Sequence, residues 1–189
     1  MIEDTQLNLG EIPDFSQIVD DTRPDYVPFE NGWYAGTIVE KREFTDKQGN
    51  DRIFESNDEV SRSGDSRNIR LQVEVLRAAD KRTLNTSVML NYQPEALTAD
   101  TVAAVTAHMS KVKEGEEWGS LFRPFMTLTR LGKLQRIAGV RQLQRNGNGG
   151  LDIHPLFGKK AYFRLGPDER NPDYKAILDY SEKAPRKVL

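Results

Sequence analysis

The stretch that decides the fold is residues 68–92, NIRLQVEVLRAADKRTLNTSVMLNY. Ile69, Leu71, Val73 and Val75 alternate with Arg70, Gln72, Glu74 and Leu76. A period of two sends the first set to one face and the second to the other, the pattern of a half-buried strand. After Ala78-Ala79-Asp80-Lys81, a second alternation sets Leu84, Thr86, Val88, Leu90 and Tyr92 against Thr83, Asn85, Ser87, Met89 and Asn91. Two such runs across a short polar link predict an antiparallel hairpin. Its polar face offers Arg70, Gln72 and Glu74, too little to grip a ligand alone. The hairpin therefore reads as the floor of a larger sheet.

Working outward, residues 33–44, WYAGTIVEKREF, are aromatic and β-branched and predict one strand. Residues 45–50, TDKQGN, form a polar turn, and residues 51–56 return as a short partner strand. Residues 57–66, NDEVSRSGDS, show no apolar period and read as an exposed loop. Downstream, Pro94 ends the hairpin. Thr98-Ala99-Asp100 offers N-cap chemistry for a helix to about residue 113, with a stripe of Val102, Val105, Met109 and Val112. Gly115 and Gly119 interrupt it, and Pro124 suits the first turn of a second helix carrying Leu128, Leu131, Leu134 and Ile137. Gly139 is its expected stop. NGNGG, residues 146–150, reads as a flexible connector. KAYFRL at 160–165 and DYKAILDY at 173–180 are the last two strands, joined by the tight turn GPDERNP. The expected fold is mainly β: a five-stranded, mostly antiparallel OB-like barrel with helices between strands three and four.

A chain of 189 residues has room for one domain and its tails. The expected division is an acidic, disordered leader at 1–30, the domain at 31–181 and a short basic tail at 182–189. With 37% apolar residues the composition supports a core, and there is no apolar run long enough for a membrane helix. The acidic start lacks the apolar core of a secretion signal. There are no cysteines, which excludes disulfides, thiolate metal sites and a cysteine nucleophile. These features predict a cytoplasmic protein. Net charge is −2, but residues 1–31 hold eight acids against Arg23, a net of −7 that leaves +5 for the remainder. Ile12, Phe15, Ile18 and Val19 place one short amphipathic turn within this leader, which is expected to solubilise the chain, dock a partner or mask the basic body. From Trp118 to Leu151 there is no acid, only six basic residues, including Arg130, Lys133 and Arg136 at helical spacing. That run reads as a phosphate-binding flank, a partner surface or a solvated face.

Catalytic patterns are sparse. His108 and His154 are the only histidines, and neither stands in a metal-binding motif. Gly158-Lys159-Lys160 lacks the earlier glycine of a phosphate loop, and NGNGG does not lead into a helix. Asp173-Tyr174-Lys175 is a D-x-K tripeptide of the kind found in metal-dependent nucleases, with Asp152 one nominee for its second acid. The positive signal is basic residues interleaved with aromatics on strand-like segments. Trp33, Tyr34 and Phe44 flank Lys41 and Arg42, Arg52 and Phe54 follow, and Lys160, Tyr162, Phe163 and Arg164 cluster late. Single-strand binding needs cations for phosphates and flat side chains for bases, and a sheet supplies both at regular spacing. Adjacent strand residues face opposite ways, so one of Trp33 and Tyr34 belongs to the core.

Four segments, in this order, carry a resemblance: PFENGWYAGTIVEKREFTDKQGN, NIRLQVEVL, LGKLQRIAGV, and LFGKKAYFRLG with NPDYKAILDY. With gaps they span roughly residues 28–181, and together the chain resembles a family of phage-encoded single-stranded-DNA-binding proteins with an OB-like fold. It departs from that family in a long loop after Glu55, an extended helical region and an acidic tail at the N-terminus. The resemblance implies DNA replication or recombination, with no cofactor, no metal and no catalysis. DNA is then expected near Trp33 or Tyr34, Arg52, Arg70, Arg82, Lys160, Tyr162 and Arg164. Lys47 and Arg170 would support it from hairpin loops and Lys133 from a helix. The expected partners are single-stranded DNA and replication or recombination proteins reached through the leader, with self-association left open. The rival expectations are a phage protein–protein module, such as a virion component or host-factor inhibitor, and the metal-dependent nuclease.

Overall fold

The computed structural model describes residues 28–45, 48–172 and 174–189. Its frame is the hairpin foreseen at residues 68–92. Strand β5 (Arg67–Leu76) pairs with β6 (Thr83–Tyr92) from Arg67 opposite Tyr92 to Leu76 opposite Thr83. Ile69, Leu71, Val73 and Val75 are fully buried, facing Leu90, Val88, Thr86 and Leu84 across the ladder. On area grounds each such aliphatic side chain stabilises the fold by about 1.5–3 kcal/mol.

The other edge of β5 is shared by two strands. β1 (Gly32–Val39) pairs with residues 72–76, and β4 (Asn57–Val60) pairs with residues 67–70. Between them β2 (Lys41–Thr45) and β3 (Asp51–Glu55) leave the sheet as a separate two-stranded ribbon. Ser56 makes the branch. Its hydroxyl donates to the Val39 carbonyl (2.6 Å) and accepts from the Gln72 amide (2.8 Å), while its own N–H donates to the Glu40 carbonyl (2.7 Å). The serine occupies the place where β1 and β5 would otherwise continue their ladder. The single strand expected over residues 33–44 is therefore two strands, divided at Glu40.

The loop expected at residues 57–66 is corrected by β4. Its inward residue, Asp58, is not apolar, so no apolar period announces the strand. Asp58 accepts from Arg67 Nε (2.8 Å), from the Tyr92 hydroxyl and from the Leu151 amide (2.6 Å), and its side chain is buried. Arg67 also donates to the Asp58 and Asn148 carbonyls. The NGNGG connector is consequently clamped: a side chain at Gly150 would lie 2.5 Å from the Arg67 guanidinium, and Asn146 accepts from the amides of Asn148 and Gly150.

On the far edge of β1 lie β7 (Lys160–Pro167) and then β8 (Lys175–Ser181), both antiparallel. Helices α1 (Ala99–Lys113) and α2 (Phe122–Ala138) intervene between β6 and β7. Thr98 caps α1 by accepting from the Thr101 amide, and Gly139 ends α2 with φ of 75°. Leu131, Leu134 and Ile137 of α2 close one side of the core, with Tyr34, Phe163 and Tyr180 opposite. Gly36 lets β1 lie flat there: an added Cβ would meet the Glu74 carbonyl and the Phe163 ring, each at 2.9 Å. Phe29 and Leu189 also pack on the core, so the packing extends past residues 31 and 181 at both ends.

The architecture is thus mainly β, with antiparallel sheets and two helices. The main sheet is open rather than a closed five-stranded barrel, and eight strands are described. β6 and β8 approach one another without a hydrogen-bonded ladder. No described helix is long and apolar enough to cross a membrane.

Candidate nucleic-acid interface

The sheet face opposite the core is built by register. Trp33 lies beside Arg164, Ala35 between Leu76 and Tyr162, and Thr37 between Glu74 and Lys160. Small side chains along β1 are flanked by long ones on β5 and β7, which makes a shallow trough with an aromatic at Trp33 and another at Tyr162. Lys160 and Arg164 are exposed at its β7 side, with no ion-pair partner among the described residues. Asp179, the register neighbour of Arg164 across β7 and β8, is paired with Lys133 of α2 at 2.5 Å. Lys133 is therefore engaged with Asp179 and does not line the trough.

Tyr34 is 1% exposed. Its ring tilts against Phe29 with centroids 5.3 Å apart, and its hydroxyl donates to the Glu30 carbonyl at 3.1 Å. It is the core member of the Trp33–Tyr34 pair, and the expectation of a stacking role falls to Trp33. Burial pushes the Tyr34 hydroxyl's pKa up, which keeps it protonated as a donor.

The ribbon is the more distinctive element. Its register sets Arg42 opposite Phe54 and Phe44 opposite Arg52, so these four share one face. The Phe44 and Phe54 rings are stacked at 5.3 Å and 8°, and the Arg42 guanidinium stands 5.0 Å over Phe54. Among the described residues of the two strands, the acids Glu43, Asp51 and Glu55 all lie on the opposite face, with Lys41 held to Glu43 at 2.8 Å. Phe44 and Phe54 remain 40% and 37% exposed, because a two-stranded ribbon has no core of its own. The ribbon leans over the trough side of β5. β3 touches β5, and the Arg42 guanidinium feels the attraction of Glu74 while burial lowers its pKa. Gln72 beneath is buried, and its Oε1 and the Arg42 Nε both lack a hydrogen-bond partner among the described residues.

The remaining expected contacts are spread over the same side and its rims. Arg70 stands on the outer face of β5, with Nε 3.4 Å from Met89 Sδ and a long 4.0 Å approach to Glu59. Arg82, at the β5–β6 turn, faces Asp80 at 3.4 Å. Asp80 is gripped by Arg77 through both carboxylate oxygens, at 2.9 and 2.7 Å, and its pKa falls to about 2. Arg170 is exposed in the β7–β8 turn, where its amide donates to Asp168. Lys47, at the ribbon turn, lies outside the described residues.

Arg42, Phe44 and Phe54, which stand outside the contacts expected from sequence, share one ribbon face with Arg52. The signal was available in the turn: a hairpin closed by TDKQGN pairs these residues on one face. For the nuclease alternative, Asp173 lies outside the described residues. Lys175 donates to Asn31 Oδ1 at 2.7 Å, and Asp152 is held by His154 at 2.6 Å. No group of three metal-ligating side chains occurs among the described residues. His108 of α1 packs against Trp118, just before α2, with centroids 5.3 Å apart.

Comparison with protein-family models gives no match, and comparison with curated protein sequences gives none either.

Proposed function

We propose that this protein is a non-catalytic single-stranded-DNA-binding protein of OB-like design, acting in phage DNA replication or recombination. The observation that carries the reading is the ribbon face that sets Arg42, Phe44, Arg52 and Phe54 together, on the same side of the sheet as Trp33, Lys160, Tyr162 and Arg164. Stacked rings beside guanidinium groups accept any base and its phosphate together. The OB-like part rests on strand order. β1 lies between β5 and β7, the helices fall between the β5–β6 and β7–β8 hairpins, and β6 and β8 draw near as the closing strands of such a barrel would. The ribbon is then an elongated hairpin following the first strand, the place where OB-like domains carry a binding loop.

Oligothymidine titration tests this. Affinity should fall with salt at a slope of about −0.7 per phosphate neutralised. Trp33 fluorescence, read in a Trp118→Phe background, should quench on binding. No binding at micromolar protein in low salt would refute the reading.

A second reading, a phage protein–protein module, is favoured by the apolar side chains that α1 leaves exposed, Val102 and Met109. It predicts a stable protein complex and indifference to DNA. Magnesium-dependent loss of the oligonucleotide, abolished by Asp173→Ala, would point to the nuclease.

A further inference from the structure

On the helix side of the sheet, away from the trough, a groove of about 490 Å³ opens between the end of β6 and the start of α2. Leu90, Tyr92, Leu97 and Met126 give it an apolar lining, and Arg123 and Arg130 stand at its walls. No acid lines it, the first turn of α2 carries none, and neither arginine has an ion-pair partner among the described residues. Phe122 at its rim is 54% exposed. A cleft with an apolar lining and unpaired cations selects a segment that is apolar on one side and acidic beside it.

The chain contains such a segment. Residues 12–21, IPDFSQIVDD, set Ile12, Phe15, Ile18 and Val19 at helical spacing, flanked by Asp14, Asp20 and Asp21. Residues 1–27 hold seven acids against Arg23, a net of −6, which leaves +4 for residues 28–189 of a chain whose total is −2. The point of departure is fixed. Arg77 donates to the Pro28 carbonyl at 3.1 Å and lies 4.6 Å over the Phe29 ring, at the opposite end of the β5–β6 hairpin from the groove. The span along β6 is about 30 Å. The 13 steps from Phe15 to Pro28 reach up to about 45 Å when extended. The tether is long enough for the aromatic of this segment to reach the groove.

We propose that residues 12–21 dock into this groove of the same chain, with Phe15 and Ile18 on its apolar lining and the aspartates against Arg123 and Arg130. Charge complementarity and reach both support this occupant. A nucleic-acid strand, by contrast, would find the apolar lining poorly matched to its backbone.

The absence of cysteine makes a direct test available. Ser16→Cys is combined with Thr127→Cys in the groove, and separately with Asn85→Cys, which lies on the trough side and nearer the anchor along β6. Under mild oxidation the Thr127 pair should form an intramolecular disulfide about tenfold faster than the Asn85 pair, because docking adds local concentration to tethering. Arg123→Glu with Arg130→Glu should remove that advantage, and so should Phe15→Asp. Equal rates, or a faster Asn85 pair, would overturn the proposal. A disulfide-linked dimer would overturn the same-chain assignment. Loss of oligothymidine binding in the Arg123→Glu, Arg130→Glu chain, with cross-linking unchanged, would give the groove to nucleic acid and overturn it too.

Discussion

Asp58 is the residue on which the ends of β4, β5 and β6 converge. Its carboxylate is buried and receives Arg67, the Tyr92 hydroxyl and the Leu151 amide. Removing one partner of a buried pair leaves the other charge uncompensated, which costs more than the pair itself contributes. Arg67→Met should therefore destabilise the protein by about 3 kcal/mol or more in urea unfolding, at unchanged m-value. Gly150→Ala should also destabilise it, since the added methyl enters the Arg67 guanidinium. Equal stability to the parent in both would remove Asp58 as the organising contact. Asp80 gives a second, independent reading at this scale. Its folded pKa of about 2 lies below its ordinary value of 3.8. A group depressed on folding stabilises the native state above its unfolded pKa and loses that contribution as pH falls through the folded value. The Arg77–Asp80 contribution is thus complete above about pH 4 and gone near pH 2. Asp80→Asn should flatten the decline in stability over that window, and carboxyl NMR of Asp80 should show a midpoint near 2.

At the scale of elements, legibility followed the apolar period. β5 and β6 were readable because Ile69, Leu71, Val73 and Val75 and their partners alternate without a fault. α1 and α2 were readable from Thr98 at one end and Gly139 at the other. β4 was hidden because its inward position is a charged residue, satisfied by Arg67 and Tyr92, which lie in other strands, and by Leu151, which lies in a distant loop. The split of β1 from β2 was hidden for a similar reason: Ser56 draws its partners from Val39 and Gln72, both far along the chain. The site was half legible. Trp33, Lys160, Tyr162 and Arg164 come together as register dictates, whereas Lys133 is diverted to Asp179 and Tyr34 to the core. The ribbon carries a prediction of its own. Phe44→Ala with Phe54→Ala should weaken oligothymidine binding by about 1–3 kcal/mol per base that loses its stack. The melting temperature should move little, because both rings are already partly in water. A large loss of stability would make the pair structural.

At the scale of the whole molecule, charge is divided between an acidic N-terminal segment and a body that is basic overall. The body separates its surfaces. The trough and ribbon face one side of the sheet, and the cationic groove by α2 opens on the other. In the proposed function the first surface holds a strand of DNA by stacking and phosphate contacts, without base-specific recognition. Lys160→Glu with Arg164→Glu should therefore lower the salt slope by about 1.4, the counterions of two phosphates on a single strand. It should leave the fold intact, since both side chains are exposed.

The most direct test of the central claim is the equilibrium binding of a fluorescent oligothymidine, followed by anisotropy at low salt, to the parent chain and to the Phe44→Ala, Phe54→Ala chain. The account predicts binding by the parent at micromolar protein or below, and a loss of about tenfold or more in the variant. No binding by the parent, or equal affinity in the two, would contradict it.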